Sequence, residues 1–196
     1  MSSKAPIGVF ASGVGGLTVV REIMNQLPGE SIIYFGDTAR LPYGSKSAKT
    51  ILIYTRQIVR FLRDNGVKAI VVACNTASAL ALETVKNEVD IPMIGVVKPG
   101  ARVAANTSKN GKIGIIGTEG TIRSEIYNEY IKQVNANIEV YGKPCPLLVP
   151  LVEEGLINDP ITREMIGRYT KDIIVKDIDT LVLGCTPYPL LRNTFG

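Results

Sequence analysis

Short runs of isoleucine and valine recur along this chain, and a longer stretch with helical periodicity separates most of them from the next. Residues 7–10, 31–35, 69–73, 91–97, 112–116 and 138–141 read as strands. Residues 17–27, 48–65, 77–88, 100–106 and 121–134 read as helices. Strands joined through a helix pair in parallel, because the crossover returns the chain to the same end of the sheet. The alternation therefore predicts an α/β fold of parallel strands flanked by helices.

The second half of the chain echoes the first. Ile7-Gly8-Val9-Phe10-Ala11-Ser12 matches Ile113-Gly114-Ile115-Ile116-Gly117-Thr118, each a strand that ends in a small residue and then a hydroxyl. A second pair of matched segments ends in Cys74 and in Cys185, at nearly the same distance from Ile7 and from Ile113. The expected architecture is thus two pseudo-symmetric parallel-sheet domains, residues 1–97 with Cys74 and residues 98–196 with Cys185, and an active site in the cleft between them. Ligands of open α/β sheets bind where strands end, and both thiols stand there.

Composition narrows the function. The net charge is only +4 and no block of Lys or Arg appears, so a nucleic-acid surface is not expected and small metabolites are. Three cysteines without metal-type spacing point to a reducing, cytoplasmic compartment rather than a disulfide framework. The apolar stretch from Ala69 to Leu82 is interrupted by Cys74, Asn75, Thr76 and Ser78, too polar for a membrane span, and no signal segment is recognisable. With no histidine in the chain, any acid or base must be Cys, Asp, Glu, Lys or Tyr, and His-based metal sites are excluded.

Two thiols on opposite walls of a cleft suit removal of a proton from one face of a carbon and its return to the other, which is racemisation without a cofactor. Ser12, Asn75, Thr76 and Thr186 can supply the donors that stabilise the intermediate carbanion. The bland alternative is that both cysteines are small buried hydrophobes; that reading is preferred for Cys145, which lies between Pro144 and Pro146. The turn Ser12-Gly13-Val14-Gly15-Gly16-Leu17-Thr18 partly imitates a dinucleotide fingerprint, with Asp37 near the place of a ribose-binding acid, but its third glycine is missing. Asp37-Thr38-Ala39-Arg40 reads as a turn with a charged rim. In the following Pro42-Tyr43-Gly44, Tyr43 and the Gly44 backbone can bind a polar ligand. Glu153-Glu154-Gly155 reads as a helix end that is solvated unless the fold turns a carboxylate inward.

At Gly8-Val9-Phe10-Ala11-Ser12-Gly13-Val14-Gly15-Gly16, Gly36-Asp37-Thr38-Ala39-Arg40-Leu41-Pro42-Tyr43-Gly44, Ala73-Cys74-Asn75-Thr76 and Leu183-Gly184-Cys185-Thr186 the sequence closely resembles the glutamate racemases. These cofactor-independent enzymes interconvert L- and D-glutamate for peptidoglycan synthesis. The resemblance implies that Cys74 acts on the α-proton of D-glutamate and Cys185 on that of L-glutamate. It further implies that Ser12, Tyr43, Gly44, Asn75, Thr76 and Thr186 hold the substrate, that Glu153 is an auxiliary carboxylate, and that the protein is a homodimer; no membrane or nucleic-acid partner is expected from the composition. Three departures accompany it: Ala11 stands where the family has an aspartate, Pro187 where it has a histidine, and the chain stops at Gly196 where a further helix and strand are expected. A catalytically silent racemase-fold protein that binds an acidic amino acid or a protein partner therefore remains open as the alternative, with a nicotinamide enzyme behind it.

Overall fold

The computed structural model describes residues 4–195. The chain divides into two compact units, the first closing at Val96 and the second opening at Val97. The first unit runs β1 (Ile7–Ala11), α1 (Leu17–Gln26), β2 (Ile32–Gly36), α2 (Ala48–Asp64), β3 (Ala69–Val72), α3 (Asn75–Leu80), α4 (Leu82–Lys86) and β4 (Met93–Gly95). The second runs α5 (Val97–Thr107), β5 (Lys112–Gly117), α6 (Glu119–Arg123), α7 (Ile126–Val134), β6 (Glu139–Pro144), α8 (Leu148–Glu153), α9 (Pro160–Ile174), β7 (Thr180–Gly184) and α10 (Arg192–Phe195). Short 3-10 turns cover Val14–Gly16, Thr38–Arg40 and Tyr188–Leu191.

Both sheets are parallel, with strand orders β2-β1-β3-β4 and β6-β5-β7. The first strand of each unit is central, so it is sheathed by side chains on both faces. That is why β1 is buried throughout and β5 nearly so. In the first unit Val9, Phe10, Ile70 and Val72 share one buried core with Ile51, Ile58 and Leu62 of α2. In the second, Ile113 and Ile115 pack with Tyr127 and Ile131, while Ile116 packs with Cys145, Leu148 and Tyr188.

Three elements differ from the sequence expectation. The helix over 77–88 is two helices that start earlier, at Asn75, and break at Ala81 (φ −135°, ψ −24°). The break keeps both pieces close over β4, where a Cβ on Gly95 would lie 2.6 Å from Leu82 and 2.7 Å from Ser78 Oγ. The strand over 91–97 shortens to Met93–Gly95, because only these residues pair with β3 and Val97 already begins α5. The helix over 121–134 divides at Glu125, which is left-handed at φ 58°. There Ser124 Oγ donates to the Thr121 carbonyl and diverts the helix ladder.

One polar knot holds the second sheet's entry. Asp179, just before β7, accepts from Ser108 Oγ (2.7 Å), Lys109 N (2.5 Å), Asn110 N (2.8 Å) and Thr180 Oγ1 (3.0 Å). These donors, the Asn110 N–H foremost, hold its carboxyl well below the usual aspartate range. A folded-state pKa below the unfolded one contributes stability above about pH 4 that is lost as the pH falls toward the folded value. Asp179→Asn is therefore expected to melt below the wild type at pH 7, with the gap in Tm closing below about pH 4; a gap independent of pH would contradict the assignment.

Candidate active site

Cys74 is placed by strand pairing and helix start together. Ala73 N–H extends the sheet by donating to the Phe10 carbonyl (2.8 Å), and Cys74 is then the residue that caps α3, its carbonyl accepting from Ser78 N–H (2.8 Å). Cys74 is 5% exposed. Its sulfur is surrounded by donors, the backbone N–H groups of Ala77 and Thr76 and both the hydroxyl and N–H of Ser12, the residue after β1. Burial pushes the thiol up; these four groups pull it down and favour the thiolate. Burial is the stronger of the two, so the thiolate is prepared rather than permanent.

Tyr43 stands on the same side of the first unit. It is 2% exposed, and its hydroxyl donates to Asp37 Oδ2. Burial, then Asp37, then Cys74 raise its pKa, so it stays a neutral phenol. Its carbonyl accepts from Lys46 N–H (3.1 Å), which closes the turn that contains Gly44. Asp37 corrects the charged-rim reading: it is 5% exposed, because Tyr43 and Arg40 satisfy its carboxylate inside the fold. The same engagement leaves it unsuited to a ribose. Asn75 and Thr76, 6% and 2% exposed, sit in the first turn after the thiol, each with polar partners of its own.

In the second unit Cys185 directly follows β7. Gly184 lets it do so: a Cβ there would lie 2.9 Å from the Ile116 carbonyl oxygen, a backbone atom that cannot yield cheaply. Cys185 and Thr186 are each 9% exposed. The thiol is flanked by Tyr127 and Tyr188, whose pKa values burial raises first and Cys185 second. Tyr188 N–H donates to the Cys185 carbonyl (3.0 Å) and its hydroxyl to the Cys145 carbonyl (2.7 Å). Pro187 begins the turn that carries Tyr188. Thr118, the sequence match of Ser12, uses its hydroxyl to cap α6 at Thr121, so the two units part in local chemistry at that point.

Glu153 ends α8, the helix that packs beside the turn after Cys185. It is half-buried, burial raises its pKa, and it has no hydrogen-bond or ion-pair partner among the described residues. That state suits a group that takes and gives protons. Cys145 is fully buried, its thiol pushed up to about 12 by burial, and it lies 3.6 Å from the Lys143 carbonyl. It packs as a small hydrophobe.

The structure thus gathers Ser12, Tyr43, Cys74 and Thr76 in one unit, and Cys185 and Thr186 in the other. Sequence reasoning missed the Asp37–Arg40 pair as buried chemistry and Tyr127 as a neighbour of Cys185. The only sequence signal for Tyr127 is its place on the apolar face of a helix. Among the described residues no helix is long and apolar enough to cross a membrane.

Residues 7–195 match the Asp/Glu/hydantoin racemase family. The chain is 54% identical over 187 residues to a glutamate racemase from Persephonella marina, an alignment that spans 95% of this chain and 72% of that one. The glutamate racemase isoform RacE1 from Bacillus anthracis superposes with a TM-score of 0.96 at 43% identity, covering 99% of this chain and 73% of that structure. A glutamate racemase from Francisella tularensis in complex with D-glutamate gives 0.92 at 44% identity, covering 98% and 72%.

Proposed function

The chain belongs to the Asp/Glu/hydantoin racemase family, in its glutamate racemase branch, and from that premise we propose that Cys74 and Cys185 are its two bases. In the D-to-L direction the Cys74 thiolate takes the α-proton of D-glutamate and the Cys185 thiol gives a proton to the opposite face. The reverse reaction exchanges these roles. One proton leaves carbon and one arrives, with no electrons to be accepted, so the chemistry balances without a cofactor. Solvent then resets the two sulfurs.

The observation that carries this reading is the donor set on Cys74: Ala77 and Thr76 N–H with the Ser12 N–H and hydroxyl. A structural cysteine needs no such partners, whereas a base must hold negative charge for part of each cycle. Ser12, Asn75, Thr76, Thr186 and the Tyr43–Gly44 backbone hold the carboxylates and the ammonium, and Glu153 relays protons on the Cys185 side. We read the protein as a cytoplasmic homodimer whose D-glutamate feeds peptidoglycan synthesis.

Incubation with D-glutamate in deuterated water tests the proposal. The expected result is incorporation of deuterium at the α-carbon together with decay of the circular-dichroism signal. Ala11 and Pro187 favour a second reading, a protein that binds glutamate without turnover. Thermal stabilisation by glutamate with neither exchange nor decay would establish that one instead.

A further inference from the structure

Asp37 follows β2, and its N–H donates to the carbonyl of Ala11 (3.0 Å), the residue before Ser12. This backbone link brings a carboxylate to the thiol-bearing end of the first sheet. Every atom of that carboxylate is engaged: Oδ2 accepts from Tyr43, Oδ1 accepts from Arg40 Nε at 2.9 Å, and Nε lies 2.7 Å from Oδ2 as well. Arg40 is fixed in turn. Its Nη1 donates to Gln57 Oε1 (2.5 Å) and its guanidinium lies 4.2 Å above the ring of Tyr54, both on α2. The rings of Tyr54 and Tyr43 are 5.7 Å apart, so the cluster closes on itself around Tyr43.

We propose that Asp37, held by Arg40, is a positioning residue for the Cys74 half of the site: it fixes Tyr43 beside the thiol and, through Tyr43, the turn that offers Gly44 to substrate. Isolated, a buried carboxylate is costly, and two strand spacings from Cys74, about 10 Å, it would oppose the thiolate. Arg40 cancels that charge while leaving the hydrogen bond to Tyr43 intact. The ionisable groups on this flank of Cys74 are Tyr43, Asp37, Arg40, Tyr54 and Tyr34, whose hydroxyl donates to the Gly13 carbonyl; α3 and the residues from Ser12 to Gly16 contribute none of their own. The substrate part of the proposal rests on the racemase reading, and the part concerning the thiol does not.

The test follows the pH dependence of Cys74 alkylation by iodoacetamide in a Cys185→Ala background, where Cys145 is buried. Asp37→Asn leaves the guanidinium unopposed and is expected to lower the alkylation midpoint. Arg40→Met leaves the carboxylate unopposed and is expected to raise it, each by on the order of half a pH unit. Opposite shifts are the signature, since a merely structural role moves both variants the same way or neither. Tyr43→Phe, which removes one oxygen, is expected to raise the midpoint too and serves if either charge variant fails to fold. In protein with both thiols, Tyr43→Phe, which removes the bond to Asp37, and Asp37→Asn, which weakens it by replacing a charged acceptor with a neutral one, should each raise KM for glutamate, up to about tenfold, and the double variant little further, because both act on one bond. Like-signed or absent shifts in folded variants overturn the proposal. Correct shifts with no response to glutamate leave the positioning intact and overturn the racemase reading instead.

Discussion

Cys74→Ala and Cys185→Ala, made one at a time, are each expected to slow racemisation of glutamate by about 10²- to 10⁴-fold, the usual contribution of a positioned acid or base. The two losses should be of similar size although the residues lie in different units, because in the proposed two-base scheme each turnover uses both sulfurs once. Neither thiol can serve both faces of a tetrahedral carbon, and no histidine is available to stand in. Cys145→Ala is the control. Its thiol is fully buried and bonded only locally, so that variant should lose some stability and keep its rate per folded molecule. Circular dichroism of the glutamate pool measures all three. A single cysteine variant within tenfold of the parent rate would end the two-base assignment.

Restoring the family's aspartate at position 11 and histidine at position 187, which the resemblance gives as assistants to the two thiols, is expected to act in the opposite direction. Ala11 is 2% exposed, and a Cβ built on Gly16 would meet the Ala11 methyl at 2.5 Å, so the side chain at position 11 faces the turn Val14–Gly16. Helix α1 starts from that turn with no side-chain cap and no acid in its first turn. A carboxylate introduced by Ala11→Asp would face the positive end of that helix and be held ionised, next to Ser12 and hence next to Cys74. Pro187→His would place an imidazole two residues after Cys185, in the turn that already carries Tyr188. Together the substitutions are expected to raise the rate by about 10²-fold or more, with a new dependence on pH near the imidazole range. An unchanged rate in a folded double variant would show that the surviving donors on Cys74 suffice, and the two departures from the family pattern would then be neutral.

The sheets were legible because buried parallel strands leave an unmistakable trace: Ile7 to Phe10, Ile70 to Val72 and Ile113 to Ile116 are apolar on both faces, and their partners could only be reached through helices. The thiols were legible as strand-end residues for the same reason. What the letters concealed lies in contacts across sequence. Asp37 and Arg40 have the composition of a solvated turn, and nothing local reveals that Tyr43 folds back to bury the carboxylate. Helix breaks at Ala81 and Glu125 were equally hidden, since periodicity continues through both, while the fit over Gly95 accompanies the first and the hydroxyl of Ser124, bonded to the Thr121 carbonyl, accompanies the second. The match of Thr118 to Ser12 held for the backbone and failed for the hydroxyl, because capping α6 competed for the same oxygen.

The strand orders carry a consequence for how the chain comes off the ribosome. In each sheet the central strand is made first and its Cys-bearing neighbour later, β3 after β1 and β7 after β5. Until Gly184 has emerged, one side of β5 offers unpaired backbone beside Ile113, Ile115 and Ile116. That nascent edge is an invitation to wrong partners, and parallel pairing across so long a loop is slow to close it. Relief from misassociation therefore arrives in the same event that sets Cys185 at its strand end, the docking of β7, and a chaperone that shields β5 until then would raise the yield of folded protein without touching its final stability.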